Sequence, residues 1–327
     1  MALELRLHRP PEFEARATLT LSGVRSREIS FLLNRDLSLS SARVEGGLPL
    51  LWNDGRPLSS RYHREGRVVR LDLGRDPDPK GERLRIVLEW AGRGADGTGK
   101  KDWRGILLLA PDELRMSEQT IFYPQVPLDL EGPGVAPVRG SVRVIAPEGF
   151  EVFVPGVPIP AADPAPSGAR AWAFEIRNAF TVSLVAGRYR RLERKSGGTL
   201  LVALLKEAHA DLGPRVLDDV ERAHAFYAQR FGPVDAAVLG VCEIDCVEGS
   251  YNWAAPGLLA FDRAAFGEEG LPAETIGHEV AHLWWGGAVE ARGQGERFLT
   301  EGLAEHSSWR WLEEREGAEV AREHAAG

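Results

Sequence analysis

Three side chains in the segment TIGHEVAHLWWGG, residues 275–287, have the types and the spacing of a metal site with its own base. His278 and His282 are four residues apart, so on a helix they lie one above the other. Two imidazoles placed in this way can bind one cation at about 2.0–2.1 Å from each nitrogen. Glu279 lies one step around the helix, beside the metal, where a general base for a metal-bound water is needed.

A zinc site of the catalytic kind has three protein ligands and one open position. Glu301, in the segment RFLTEGLAEHSSW, follows His282 with eighteen residues between them and begins a second predicted helix. We predict that Glu301 is the third ligand and that Glu305, one turn later, orients a ligand histidine, as carboxylates often do. Two imidazoles and one carboxylate favour a single Zn²⁺ per chain, with cobalt or manganese as alternatives in vitro.

An alternative explanation of the motif is that both histidines lie in the core with satisfied hydrogen bonds and that Glu279 is a solvated helix residue. We favour the metal site because the two helices and the ligand spacing agree. Apolar neighbours would pack the first helix and keep the local dielectric low, which strengthens the effect of a metal on its water. These neighbours are Ile276, Val280, Leu283 and Trp284.

The remaining histidines are not predicted to bind the metal. His306 is five residues after Glu301 and therefore points away from the ligand face of the helix. The other five are scattered along the sequence, and we expect surface or core positions for them. They are His8, His63, His209, His224 and His324.

Composition and charge limit the class of protein. The 327 residues leave room for two domains, and a formal net charge of −8 gives no reason to expect a nucleic-acid partner. No apolar run is long enough to span a membrane, and the first ten residues contain no apolar signal core, so we expect a cytoplasmic protein. Cys242 and Cys246 are expected on one face of a strand, about 13 Å apart and too distant for a disulfide.

Apolar residues at every second position predict antiparallel strands in the first two hundred residues. The segments with this pattern are 17–22, 68–74, 83–90, 141–146 and 199–205.

The pattern changes near residue 206, where amphipathic helices begin. We predict helices at 211–233, 272–286 and 300–316, with a strand through Cys242 after the first of them. The predicted fold class is multidomain α+β. An all-β domain over residues 1–200 precedes an α+β domain over residues 201–327, with the boundary near 195–210.

Two segments, HEVAHLWWG at 278–286 and FLTEGLAE at 298–305, closely resemble the site of the M1 family of zinc aminopeptidases, which are gluzincins. The resemblance covers these segments in detail and most of the chain in outline. It implies an antiparallel β-rich, saddle-like N-terminal domain followed by a thermolysin-like zinc peptidase domain.

The resemblance also implies the reaction and the roles in it. A peptide substrate would be hydrolysed with His278, His282 and Glu301 as zinc ligands. Glu279 would take a proton from the attacking water and then protonate the leaving amine.

The chain departs from the family where the substrate amine is held. M1 peptidases usually carry Gly-x-Met-Glu-Asn upstream of the zinc motif, and its glutamate binds the free amine. Here the segment is GSYNWAAPGLL, and an alignment on Gly249 places Asn252 in the glutamate position. An alignment on Pro-Gly-Leu, which we prefer, places Ala254 there instead.

Neither residue carries a charge, so the sequence predicts that recognition of the substrate amine is altered from that of a strict aminopeptidase. Acids that could serve in its place are Glu118, Glu243 and Glu248.

A second departure concerns the family's tyrosine that stabilises the oxyanion, which lies well downstream of the third ligand. The sequence has no tyrosine after Tyr251 and ends at Gly327, so we expect a catalytic domain that is incomplete at its C-terminus. Loss of an oxyanion donor costs about 10²–10³ in rate.

Three functions therefore compete. They are an aminopeptidase-like metallopeptidase with altered amine recognition, an endopeptidase, and a zinc-binding domain with a non-catalytic binding or regulatory role.

Overall fold

The computed structural model divides the chain into two compact units, Met1–Gly187 and Arg188–Gly327. The structure describes all residues except 9–11, 59–65, 94–107, 111–112, 117–119, 129–133, 180, 235–236, 246–251, 292, 294 and 327.

The described part of the first unit contains strands and no α-helix. The strands are β1 Ala2–Leu7, β2 Glu12–Val24, β3 Glu28–Asn34, β4 Ser38–Val44, β5 Leu51–Pro57, β6 Gly66–Asp72, β7 Glu82–Arg93, β8 Leu108–Ala110, β9 Glu113–Met116, β10 Val138–Pro147, β11 Glu151–Phe153, β12 Val157–Ile159, β13 Ala169–Ala179 and β14 Leu184–Gly187.

These strands form three sheets. The largest has the order β12-β13-β10-β1-β2-β7-β4, and the smaller ones have the orders β11-β14-β9-β8 and β3-β6-β5. Strand β1 runs parallel to β10, whereas every other described pair in this unit is antiparallel.

Alternation of apolar and polar residues explains why these segments are strands. In β2 the side chains of Phe13, Ala15, Ala17 and Leu19 are buried, and the residues between them are exposed or half-buried. A period of two places such a set on one face of a sheet, where it packs into the core of the unit. The four strands predicted within this unit are confirmed.

The second unit is a five-stranded sheet with helices packed on it. Its elements are β15 Arg190–Ser196, β16 Thr199–Leu205, α1 Gly213–Phe231, β17 Val238–Ile244, β18 Trp253–Ala255, β19 Leu258–Asp262, α2 Ala273–Ala281, α3 Glu296–Glu316 and α4 Ala318–Ala326. The strand order is β15-β16-β17-β19-β18. The central strands β16, β17 and β19 are parallel, and β15 and β18 are antiparallel to their neighbours.

The central strand of this sheet is buried along its whole length, as a parallel strand covered on both faces should be. Helix α1 packs its apolar face into the same core, where Val216, Val220, Ala223 and Tyr227 meet residues of α2 and α3. Pro214 occupies its first turn, and Gly232, with φ of 89°, ends it.

The division between the units differs from the predicted boundary near 195–210. The two compact units separate between Gly187 and Arg188. The reason is that β15 pairs with β16 and β16 pairs with β17, so both strands belong to the sheet of the second unit. The strand predicted at 199–205 is confirmed, but it belongs to the second unit.

Two of the predicted helix bounds were also inaccurate. Helix α2 ends at Ala281 and not at residue 286, because the chain turns at Gly286, which has φ of 101°, and at Gly287. A Cβ on Gly287 would lie 2.5 Å from the carbonyl oxygen of Leu283, so the turn requires a glycine there. Helix α3 begins at Glu296, one turn before the predicted start at residue 300.

Among the described residues, no helix combines the length and the apolar character needed to cross a membrane.

Candidate metal centre

Two helices of the second unit carry the predicted site. His278 and Glu279 lie in α2, and His282 follows as its C-terminal cap with helical backbone angles. Glu301 and Glu305 lie one turn apart in α3. Helix α2 ends at Ala281, one residue before His282. Because His282 keeps helical backbone angles, the two histidines still lie one turn apart on the same face.

The two helices can approach closely because Gly277 has no side chain. A Cβ at this position would lie 2.6 Å from Cδ1 of Trp311 and 3.3 Å from Cα of Ser308, both on α3. From α1, the buried Tyr227 donates its hydroxyl to the carbonyl oxygen of Gly277 at 3.0 Å. The segment immediately before His278 is therefore held between α1 and α3.

The three predicted ligand atoms form a nearly equilateral triangle. The Nε2 atoms of His278 and His282 are 3.1 Å apart, and Oε2 of Glu301 lies 3.5 Å from the first and 3.4 Å from the second. Tetrahedral ligands at about 2.0–2.1 Å from zinc are separated by about 3.3–3.4 Å. The triangle therefore has the size that three ligands of one zinc ion require.

Hydrogen bonds at the other ring nitrogens determine which nitrogen faces the centre. Nδ1 of His282 lies 2.9 Å from the carbonyl oxygen of Trp285, which can only accept, so this nitrogen carries the hydrogen. Nδ1 of His278 donates in the same way to Oε2 of Glu305 at 2.9 Å. Both imidazoles then direct Nε2 towards the carboxylate of Glu301, where either a proton on the ring nitrogens or one cation bound by all three atoms offsets the negative charge.

The electrostatics of the cluster favour a cation. Burial alone lowers the pKa of His278, but the hydrogen bond with Glu301 and the negative charges of Glu279 and Glu305 outweigh it and raise this pKa to about 9. The pKa of His282 is raised against the effect of burial in the same way. Hydrogen bonds from both rings hold the pKa of Glu301 well below its usual range.

Glu279 is the most enclosed carboxylate of the site, with 6% of its surface exposed. Burial raises its pKa to about 7, although the nearby His278 and His282 act in the opposite direction. Glu301, by contrast, has 54% of its side chain exposed, so the ligand triangle is not sealed from solvent.

Further contacts that were not predicted from the sequence hold the groups behind the ligands. The indole of Trp285 donates to Oγ of Ser307, which itself donates to the carbonyl oxygen of Leu303 on α3. The indole of Trp309 donates to Oε1 of Glu305 at 2.8 Å. The spacing of four residues between Glu305 and Trp309 is the signal that could have revealed the second contact.

The residues predicted to bind the substrate amine do not form a charged site in the described structure. Gly249 lies outside the described residues, as do Glu118 and Glu248. Oδ1 of Asn252 accepts a hydrogen bond from the backbone N–H of Asp262 at 2.9 Å, which ties β18 to the end of β19. Ala254 lies in β18, an edge strand of the sheet, opposite Leu259.

Glu243 is no substitute for the missing glutamate. Its side chain is fully buried, and its two oxygens accept hydrogen bonds from the N–H of Lys206 and from Nδ1 of His209. His306 is exposed and lies beside Trp309, as expected for a residue off the ligand face.

Comparison with known proteins gives structural matches only. Neither the family models nor the curated proteins contain a match to this sequence. A crystal structure of the M1 zinc metallopeptidase from Deinococcus radiodurans matches with a TM-score of 0.70 and 20% identity, over 99% of this chain and 72% of that chain. A mutant of that enzyme bound to a Tyr-Ser-Ala substrate matches with a TM-score of 0.70 and 21% identity over the same shares.

This chain has the fold of the M1 zinc metallopeptidases. The fold that the resemblance implied, rich in β-sheet with several helices, is therefore confirmed. The saddle-like and thermolysin-like domain arrangement stays a prediction, as do the roles of the individual site residues.

Proposed function

We propose that this protein is a zinc-dependent metallopeptidase that hydrolyses peptide bonds with Glu279 as its general base. The observation that carries the proposal is the triangle of His278, His282 and Glu301, whose sides match the spacing of tetrahedral zinc ligands. The fold shared with solved M1 zinc metallopeptidases supports the same function.

A zinc ion bound at the triangle would supply a Lewis acid for the scissile carbonyl and would lower the pKa of a water. The chain supplies three ligand atoms for it, and the hydrogen bonds to Glu305 and to the Trp285 carbonyl keep both rings in the required orientation. The donor set, two imidazoles and one carboxylate, is of a kind that occurs in catalytic zinc sites.

Glu279 would move the proton. It is adjacent in sequence to a ligand and is enclosed by protein, and burial raises its pKa above the usual range of a glutamate. A carboxylate with a raised pKa is a stronger base for the attacking water, and once protonated it can give the proton to the leaving amine.

The recognition of the substrate end distinguishes two forms of this proposal. We favour an aminopeptidase-like enzyme with altered amine recognition, because the fold neighbours are M1 peptidases and one of them is bound to a tripeptide. An endopeptidase is the alternative, and it is favoured by the uncharged side chain of Ala254 and by the engagement of Asn252 with Asp262.

The experiment compares zinc-loaded protein with its Glu279→Gln variant on a set of peptides, each with a free amine and with an acetylated amine. We expect Glu279→Gln to lower turnover by about 10²–10⁴ while zinc affinity is retained. Glu316→Gln, at the exposed C-terminal end of α3, is the control and should behave as the unaltered protein.

The outcomes separate the functions. Loss of activity on acetylation supports the aminopeptidase form, and an unchanged rate supports the endopeptidase. If the unaltered protein and Glu279→Gln both bind zinc and both leave every peptide intact, the catalytic proposal is wrong and a binding or regulatory role replaces it.

A further inference from the structure

Glu305 is held at both of its carboxylate oxygens. Oε2 accepts the Nδ1 hydrogen of His278 at 2.9 Å, and Oε1 accepts the indole hydrogen of Trp309 at 2.8 Å. Trp309 is one helical turn after Glu305, so both side chains project from the same face of α3. The carboxylate therefore bridges an indole and a predicted ligand ring.

The bond to the indole matters because Glu305 is not confined by burial. Its side chain is 42% exposed, and an exposed glutamate has several rotamers that point to solvent. The hydrogen bond from His278 fixes one oxygen only, and the carboxylate could keep that bond while it rotates about it. The indole of Trp309, as a second donor at Oε1, restricts the carboxylate to the one orientation in which Oε2 faces Nδ1 of His278.

Other described groups near the carboxylate do not take this role. Nε2 of His324 lies 3.8 Å from Oε1, beyond hydrogen-bond distance. The hydroxyl of Ser308 donates to the backbone carbonyl oxygen of Glu305 and not to its side chain. Trp309 is the residue whose hydrogen bond sets the orientation of the carboxylate.

We propose that Trp309 is a positioning residue of the metal centre, which acts on the zinc ligand His278 through Glu305. The inference rests on the proposed zinc site. In this role the indole N–H of Trp309, and not merely the bulk of its ring, contributes to zinc affinity.

The test is a double-mutant cycle on zinc affinity. The full chain, Trp309→Phe, Glu305→Ala and the double variant are each titrated with zinc against a chromophoric chelator. Loss of a carboxylate behind a ligand histidine typically costs 10–100-fold in metal affinity, so we expect Glu305→Ala to weaken zinc binding by about that factor. Trp309→Phe keeps an aromatic ring of similar shape and should weaken binding by about three- to tenfold.

The double variant gives the decisive comparison. Once Glu305 is absent, Trp309 has no carboxylate to orient, so Trp309→Phe should cause no further loss of zinc affinity in the Glu305→Ala background. A purely structural effect of the tryptophan would persist there. The d–d absorption of the cobalt-substituted protein should shift in the same direction in Trp309→Phe and Glu305→Ala, because both alter the donor strength of His278.

Trp311→Phe is the matched control, since it removes an indole from the same helix. Trp311 packs against Gly277, and its indole nitrogen, unlike that of Trp309, has no hydrogen-bond partner among the described residues. Its effect on zinc affinity should be the same with and without Glu305. Circular dichroism of the metal-free variants identifies any that fail to fold.

The outcomes distinguish this inference from the proposed function. If the unaltered chain takes up no zinc, both are wrong. If it binds zinc and Trp309→Phe binds equally well, or if Trp309→Phe and Glu305→Ala are additive, only the role of Trp309 is refuted.

Discussion

Replacement of Gly277 by alanine tests whether the contact between α2 and α3 sets the geometry of the metal centre. The added Cβ would lie 2.6 Å from Cδ1 of Trp311, whereas carbon atoms in contact prefer about 3.5–4.0 Å. The two helices would have to separate by about 1 Å, or the indole would have to leave its position. Ser308, whose Cα would be at 3.3 Å, limits how far the helix can slide instead.

The expected loss of stability is the balance of two effects. Overpacking of this kind costs about 1–3 kcal/mol, and the gain in helix propensity from glycine to alanine returns about 1 kcal/mol. We therefore expect a net decrease of about 0–2 kcal/mol in the free energy of unfolding.

In Gly277→Ala the free energy of zinc binding should be weakened more than the free energy of unfolding. A shift of about 1 Å would move Glu301 away from both histidines, and metal–ligand distances tolerate only about 0.2 Å.

The assay is a zinc titration of the folded Gly277→Ala protein together with urea unfolding of the metal-free form. Gly302→Ala is the control, because a Cβ there meets only Cε2 of Phe298 at 4.0 Å. This control should gain about 1 kcal/mol from helix propensity. If Gly277→Ala is also stabilised and binds zinc as tightly as the unaltered protein, the close helix contact does not position the site.

Three further predictions concern the support of the site and the first unit. Tyr227→Phe removes the hydrogen bond to the Gly277 carbonyl and should lower the free energy of unfolding by about 1 kcal/mol, measured by urea unfolding, and an unchanged urea midpoint would contradict this. Removal of zinc by a chelator should lower the melting temperature, because a ligand at about 1,000 times its dissociation constant stabilises the folded state by about 4 kcal/mol; equal melting curves with and without chelator would exclude tight binding. The hydrogen bond from Arg27 lowers the pKa of Asp72 from 3.8 to about 2, so this pair stabilises the fold above the unfolded pKa and the contribution is lost as pH falls towards 2. Asp72→Asn should therefore show a shallower loss of stability between about pH 4 and pH 2 than the unaltered protein, and identical acid profiles would show that the ion pair has no effect.

The ligand set could be predicted from the sequence because its geometry is local. The separation of four positions from His278 to His282 places both rings on one helix face, whatever the rest of the chain does. The prediction of Glu301 as the third ligand required only that a second helix pack against the first. The strand predictions succeeded for the same reason, since alternation in a segment such as 17–22 is a property of that segment alone.

The parts that depend on distant contacts could not be predicted in this way. Strand β15, with the sequence RRLERKS, is mostly charged and resembles a linker, and its place in the sheet follows only from its pairing with β16. One alignment predicts that Asn252 faces the substrate amine, yet its side chain accepts a hydrogen bond from the backbone N–H of Asp262, ten residues later in sequence. Trp309 has a visible spacing from Glu305, but the direction of its indole depends on the packing of α3.

The most direct test of the account is an X-ray absorption spectrum at the zinc edge, recorded on protein loaded with an equimolar amount of zinc. Binding by His278, His282 and Glu301 predicts a first shell of nitrogen and oxygen only at about 2.0–2.1 Å, with the outer-shell scattering of two imidazole rings. In His282→Ala the imidazole scattering should fall by half or the zinc should be lost. A protein that takes up no zinc, or whose zinc shows sulfur neighbours or no imidazole scattering, would contradict the convergence of these three side chains on one ion.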